Sequence, residues 1–185
     1  MTPIPSTHGI RVAEFDARVA ADFRRAMAQF ASGVVIVTAV TAAHEPVGMT
    51  CQSFSSLSLD PPMVLFAPSR TSTTFPRLRE VGSVCVNVLT HKQDALSSQF
   101  AVSGGDKWKG VRWSPGRNAA PRVAGAAMWC EGDIEMVHPA GDHFVAIVSV
   151  TSLATTADLQ PPLIFHDGRY AGLQAAHFAR LTDDR

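Results

Sequence analysis

Apolar positions along the chain fall first at helical and then at strand spacing. Val19, Phe23, Met27 and Phe30 recur every three or four residues and predict an amphipathic helix over residues 16 to 31. Its other side carries Arg18, Asp22, Arg24 and Arg25, read as a solvated face, with a basic patch as the alternative. Gly33 is expected to end that helix. The β-branched run VVIVTAVT at residues 34 to 41 predicts a strand, and HEP at 44 to 46 the turn before VGMTCQSF.

Further along, the Ser-rich stretch SSLSLDPP reads as a loop whose Pro61 and Pro62 mark the boundary of a strand at residues 63 to 67. Residues 73 to 80 predict a helix that tolerates Pro76 in its first turn, VCVNVLT at 84 to 90 a strand, and DALSSQFA a short helix. A polar, Trp-bearing loop from Gly104 to Pro121 is long enough to act as a lid or a site wall. Residues 127 to 137 and 143 to 153 predict two more strands. LIF and RYAG flank an Asp167-Gly168 turn, a strong hairpin signal because a type I′ turn needs positive φ at both central residues. About seven strands, two or three helices and no βαβ alternation predict a mainly β chain, a closed or partly split barrel.

Composition narrows the class. Sixteen basic and sixteen acidic residues cancel, so no global field draws the chain to nucleic acid or an anionic membrane. MTPIPSTHGIRVAEF lacks the basic region and apolar run of a secretory signal, and no stretch of 18 apolar residues occurs, which leads us to expect a cytoplasmic protein. With 46% hydrophobic and 17% charged residues, the chain can bury a subunit interface as well as a core. Residues 14–175 are expected to form one domain, between tails at 1–13 and 176–185. Cys51, Cys85 and Cys130 are widely spaced and without a C-x-x-C pair, so they read as small buried hydrophobes.

Four clusters can carry chemistry. In GMTCQSFSSLSLDPPMVLF, Thr50, Gln52, Ser53 and Ser55 offer short donors and acceptors suited to a flat heteroaromatic ligand; a loop satisfying its own backbone is the alternative. In PSRTSTTFPRLR, hydroxyls and Arg70 precede a helix and can bind phosphate, or Ser72 or Thr73 can simply cap it. Lys107 and Lys109, around Trp108, can close over a phosphate or remain solvated. His143 beside Asp142 can polarise a bound amide, and IFHDGRYAG places His166, Arg169 and the only tyrosine, Tyr170, around a hairpin. His138 and His143 lack further ligands at zinc spacing, and no G-x-G-x-x-G or P-loop motif occurs.

Taken in order, FRRAMAQFASGVVIVTA, VGMTCQSFSSLSLDPPMVLF, the hydroxyl run at 69 to 75, VCVNVL with LSSQFA, the GDH at 141 to 143 and PLIFHDGRYAGL resemble the short-chain flavin reductase family, whose members supply reduced flavin to two-component monooxygenases. QSF and CVNVLT are similar to the reductases of steroid and aromatic hydroxylases. The resemblance implies an FMN-binding split β-barrel with Greek-key connections, a homodimer, FAD or FMN as flavin, NADH (or NADPH) as donor and a separate monooxygenase as recipient. It implies a flavin ring along Pro46, Val47, Gly48, Met49 and Thr50 with Gln52 and Ser53. The phosphate end would meet Ala67, Pro68, Ser69, Thr73 and Thr74, with Ser98, Gln99 and Phe100 nearby. His143, His166, Asp167, Gly168, Arg169 and Tyr170 match positions used around the nicotinamide dinucleotide, with His143 as the catalytic candidate; His166 stands where many relatives carry an aromatic residue. The alternatives are a non-enzymatic flavin- or haem-binding barrel and a pyridoxamine-phosphate oxidase relative.

Overall fold

The computed structural model describes residues 17–156 and 160–173, so the two predicted tails lie outside it. Helix α1 (Ala17–Met27) ends well before Gly33, which lies instead in the short strand β1 (Ser32–Gly33), paired with Ile164. Gly33 therefore extends a ladder rather than stopping a helix. Seven strands make the main antiparallel sheet: β2 (Val35–Val40), β3 (Pro46–Cys51), β4 (Ser55–Leu59), β5 (Pro62–Phe66), β6 (Ser83–Val88), β9 (Met128–Ala140) and β10 (His143–Thr155), in the order β3-β2-β6-β9-β10-β5-β4. Between them lie α2 (Phe75–Val81), α3 (Asp94–Ala101) and the hairpin β7 (Trp113–Pro115) with β8 (Pro121–Val123). The pair β11 (Leu163–His166) and β12 (Arg169–Gly172) joins β1 in a second small sheet.

Three further readings are corrected. The Ser-rich stretch is strand β4, because an edge strand hydrogen-bonded to β5 needs no apolar face. The turn after β2 closes one residue earlier than expected, with Thr41 and Glu45 bonded across it and Pro46 already in β3. The long loop contains β7 and β8, whose three-residue runs are too short to show a period. The Asp-Gly turn has the predicted geometry, with φ of 48° at Asp167 and 72° at Gly168.

Strand β2 is buried on both faces, which explains its unbroken apolar run. Val35, Val37 and Ala39 point into the larger core with Phe66, Val84, Val86 and Val148, and α2 seals it with Phe75 and Leu78. Opposite, Val34 and Ile36 join Leu89, Leu163 and Phe100 of α3. The sheet does not close on itself by hydrogen bonds. The connection from β3 to β4 is stapled to the end of β5 by Ser53, whose hydroxyl accepts from the Ala67 N–H at 2.9 Å and donates to the Ala67 carbonyl at 3.0 Å.

The β7–β8 hairpin is locked over the outer face by buried polar groups. Asn87 accepts the Val123 N–H at 2.7 Å, and its amide, like the Thr38 hydroxyl, donates to the Pro121 carbonyl. Glu131, 1% exposed, accepts from Arg122 Nε at 2.8 Å and from the Arg117 N–H at 3.1 Å. Burial, helped by the Glu131 charge, pushes the neighbouring Cys85 thiol up to about 12. All three cysteines are free and buried. Among the described residues no helix is long and apolar enough to cross a membrane.

Candidate functional site

The site grows from the gap between the ends of β3 and β5. The segment after β5 is fixed by β10: the Phe144 N–H donates to the Pro68 carbonyl, the Arg70 N–H to the Asp142 carbonyl, both at 2.9 Å, and the Arg70 guanidinium lies 5.5 Å above the Phe144 ring. This brings His143 opposite Ser69. On the other side α3 is tied to β3 by the Thr50 hydroxyl, which donates to the Ser97 carbonyl at 2.6 Å.

Between these walls lies an open cleft of about 590 Å³, lined by Met49, Thr50, Cys51, Gln52, Ser53, Ala67, Pro68, Ser69, Thr71, Ser72, Thr73, Thr74, Phe100, Ala101, Ser103, Lys107, His143 and Tyr170. Hydroxyls dominate its polar surface and none of these residues is acidic. A second hollow of about 300 Å³ is lined by Pro46, Val47, Gly48, Thr73, Thr74, Arg77, Gly104, Gly105, Asp106, Lys107 and Trp108. Thr73, Thr74 and Lys107 belong to both.

Lys107 is the cation at that shared wall. Its Nζ donates to the Phe100 carbonyl at 3.0 Å and the Thr74 hydroxyl at 3.4 Å. Burial depresses its pKa below the usual lysine value. Gln99 sets its place, donating from Nε2 to the carbonyls of Lys107 (2.8 Å) and Lys109 (3.0 Å), while Trp108 packs edge-on against Phe100 with centroids 4.9 Å apart. At the far wall, His143 Nδ1 is 2.8 Å from Asp142 Oδ1, and this contact holds the exposed Asp142 carboxyl below the ordinary carboxylate range. Tyr170 donates to Ser97 Oγ at 2.9 Å and packs against Phe165.

Most of the sequence-derived residues thus meet. Met49, Thr50, Gln52, Ser53, Ala67, Pro68, Ser69, Thr73, Thr74, Phe100, His143 and Tyr170 share the large cleft, and Pro46, Val47 and Gly48 line the hollow beside it. Ser98, Gln99, His166, Asp167, Gly168 and Arg169 line neither. Ser98 donates to Tyr170 Oη at 3.4 Å, Gln99 holds the 107–109 loop, and the exposed hairpin turn reaches α1's end through the Asp167 N–H and the Ala28 carbonyl. Cys51, Ala101 and Ser103 join the cleft without having been singled out for it, while Thr71 and Ser72 come from the hydroxyl run read as a phosphate site. Ser72 accepts the Phe75 N–H at 3.1 Å and donates to Met49 Sδ at 3.7 Å, but the N-cap of α2 is Thr74 rather than Ser72 or Thr73.

This donor set fits a flat, singly phosphorylated ring system: hydroxyls along the walls, one half-buried ammonium and no carboxylate to repel an anion. The family model described as flavin reductase like domain matches residues 27–174. The reductase subunit HsaB of a flavin-dependent monooxygenase from Mycobacterium tuberculosis is 39% identical, over 82% of this chain and 81% of its own. A flavin reductase from Pseudomonas putida is 37% identical over 83% and 89%. Among solved structures, nitrilotriacetate monooxygenase component B from Mycobacterium thermoresistibile superposes with a TM-score of 0.83 at 37% identity, covering 86% of this chain and 89% of that one. The NADH:FAD oxidoreductase SgcE6 of Streptomyces globisporus, in complex with NAD and FAD fragments, gives 0.80 at 30% identity over 86% and 96%.

Proposed function

The chain belongs to the flavin reductase-like family, and on that premise we propose that the 590 Å³ cleft is where it reduces FAD or FMN with NADH for use by a separate monooxygenase. The observation that carries this reading is the cleft's chemistry: hydroxyl-lined and free of carboxylates among its lining residues, with Lys107 and His143 both on its walls. Thr71, Thr73, Thr74 and Lys107 would hold the phosphate, and Met49 to Ser53 with Ala67 to Ser69 the ring. When bound, the flavin supplies a hydride acceptor and the nicotinamide the donor.

What the protein adds is position. The Ser53 staple and the Thr50 bond to Ser97 fix both walls, so two stacked rings would meet without further reorganisation. Asp142 orients the His143 ring through Nδ1 and leaves Nε2 to contact a carboxamide, the positioning role we assign to it. The open form of the cleft suits a flavin that must leave for a second enzyme.

We also assign residues 14–175 to one cytoplasmic domain that works as a homodimer. Support for the dimer is the outward-facing apolar side of α1, where Phe23 and Met27 are each about half exposed beside Phe30 at 78%. Light scattering at micromolar concentration should give twice the chain mass, and a monomer would refute this. The activity is tested by offering NADH or NADPH with FMN, FAD or pyridoxamine phosphate. Flavin-dependent NADH oxidation is expected, while activity with pyridoxamine phosphate alone, or with none, contradicts the proposal.

A further inference from the structure

We infer that Ser97, a buried hydroxyl outside the cleft, is a positioning residue for hydride transfer: it holds the Tyr170 ring in place against the nicotinamide. The inference rests on the flavin and nicotinamide reading above and deepens it. Ser97 lies in α3 with no exposed surface and lines neither hollow, whereas Tyr170 lines the large cleft. What links them is a hydroxyl pair, with the Tyr170 phenol donating to Ser97 Oγ at 2.9 Å.

That bond decides how Tyr170 acts. Its one proton is committed to Ser97 and its oxygen accepts from Ser98 Oγ at 3.4 Å, so the phenol has no proton left for a ligand and works through its ring. The ring is held at its tip by Ser97 and on its flank by Phe165, its cross-strand partner, edge-on with centroids 5.4 Å apart. Of the two hydroxyl contacts the one to Ser97 is shorter and shielded from water, which makes it the stronger. The Ser97 carbonyl meanwhile accepts the Thr50 hydroxyl at 2.6 Å. One residue of α3 thus sets both β12, which carries Tyr170, and β3, which carries part of the flavin segment. Tyr170 stands on the α3 side and His143 on the β10 side, opposite Ser69, so a nicotinamide between them would meet a fixed ring on one side and a fixed imidazole on the other.

Steady-state NADH oxidation and flavin titration of the full chain test this in Ser97→Ala, Tyr170→Phe and the double variant. Each single change removes the same bond, so each should raise the apparent KM for NADH about fivefold, the worth of one hydrogen bond, and the double variant no further. Flavin affinity should stay within about twofold, because the Thr50 bond runs to the Ser97 carbonyl, which every variant keeps. In Tyr170→Phe the solvent deuterium isotope effect should match the wild type's, since no phenol proton enters the reaction. An unchanged KM in either single variant, additive effects in the double variant, or an altered isotope effect overturns the inference while leaving the flavin reading intact. A loss of flavin affinity equal to the loss for NADH overturns it too, because Ser97 would then only support α3. Should Ser97→Ala fail to fold, Tyr170→Phe decides through its KM and its isotope effect. Wild-type protein without flavin-dependent NADH oxidation overturns the reading beneath it.

Discussion

Replacing Lys107 by methionine keeps an unbranched stem of similar length and removes only the charged tip. The ammonium is half-buried, bonded to one carbonyl at 3.0 Å and one hydroxyl at 3.4 Å, in a cleft without acidic lining residues. A phosphate there would be its first full countercharge among the described residues. Two unit charges about 4 Å apart attract by about 4 kcal/mol at an effective dielectric of 20. Part is lost because Lys107 gives up the Phe100 carbonyl and both groups shed water, so the net contribution falls in the range of a hydrogen bond to a charged group, about 1.5–3 kcal/mol. That corresponds to about a 10- to 150-fold weaker FMN affinity in Lys107→Met. Riboflavin has the ring and no phosphate, and its affinity should stay within about twofold because the charge term is absent. Titration calorimetry with both ligands at two salt concentrations reads the difference directly. An equal loss for riboflavin and FMN would show that Lys107 shapes the cleft rather than holding phosphate, and no loss for FMN would refute its role.

The remaining predictions follow from the same geometry. Glu131→Gln leaves Arg122 without its buried counterion; a broken buried pair costs about 3–5 kcal/mol, reduced here to about 2–4 because the Arg122 side chain keeps 26% exposure, and the thermal midpoint should fall by about 5–15 °C. Gly48→Ala would put a methyl 2.7 Å from the Phe100 ring and 3.3 Å from Thr38, overpacking a buried contact at a cost of about 1–3 kcal/mol that calorimetry can measure; an unchanged midpoint would show the wall to be soft. Because burial lowers the Lys107 pKa, its charge is present below that depressed value and lost as pH rises through it. The advantage of FMN over riboflavin should therefore begin to fade below 10.5, the ordinary lysine value, in a pH series of binding constants, and should be flat throughout in Lys107→Met.

Much of the fold was legible because the strands that build it are buried on at least one face. The runs at 34 to 41 and 84 to 90 sit in the middle of the main sheet, and the Asp-Gly turn declared itself through its need for positive φ. What escaped lacked a hydrophobic period. Strand β4 is an edge whose Ser55 and Ser56 face solvent, β7 and β8 have three residues each, and Gly33 lies in a strand only because Ile164 of β11 arrives beside it from 131 residues further along the chain. The site behaved alike. Chain-local signals found the segments at 46 to 53 and 67 to 74, whereas the meeting of Lys107 with Thr74 and Phe100 depends on how the long loop is clamped by Gln99. Spacing cannot show that Gln99 reaches back to this loop, nor that the turn at 166 to 169 stands away from both hollows.

The claim on which the rest depends is that the hydroxyl-lined cleft brings a flavin and a reduced nicotinamide together. Anaerobic stopped-flow mixing of the flavin-loaded chain with NADH, followed by the flavin's visible absorbance, tests it most directly. Wild-type protein should bleach the flavin far faster than free flavin and NADH react in solution. Deuterium on the transferred position of NADH should slow the bleaching, and His143→Ala should weaken the dependence on NADH concentration. Bleaching no faster than in free solution, or a rate indifferent to both the deuterium and His143, would contradict the account.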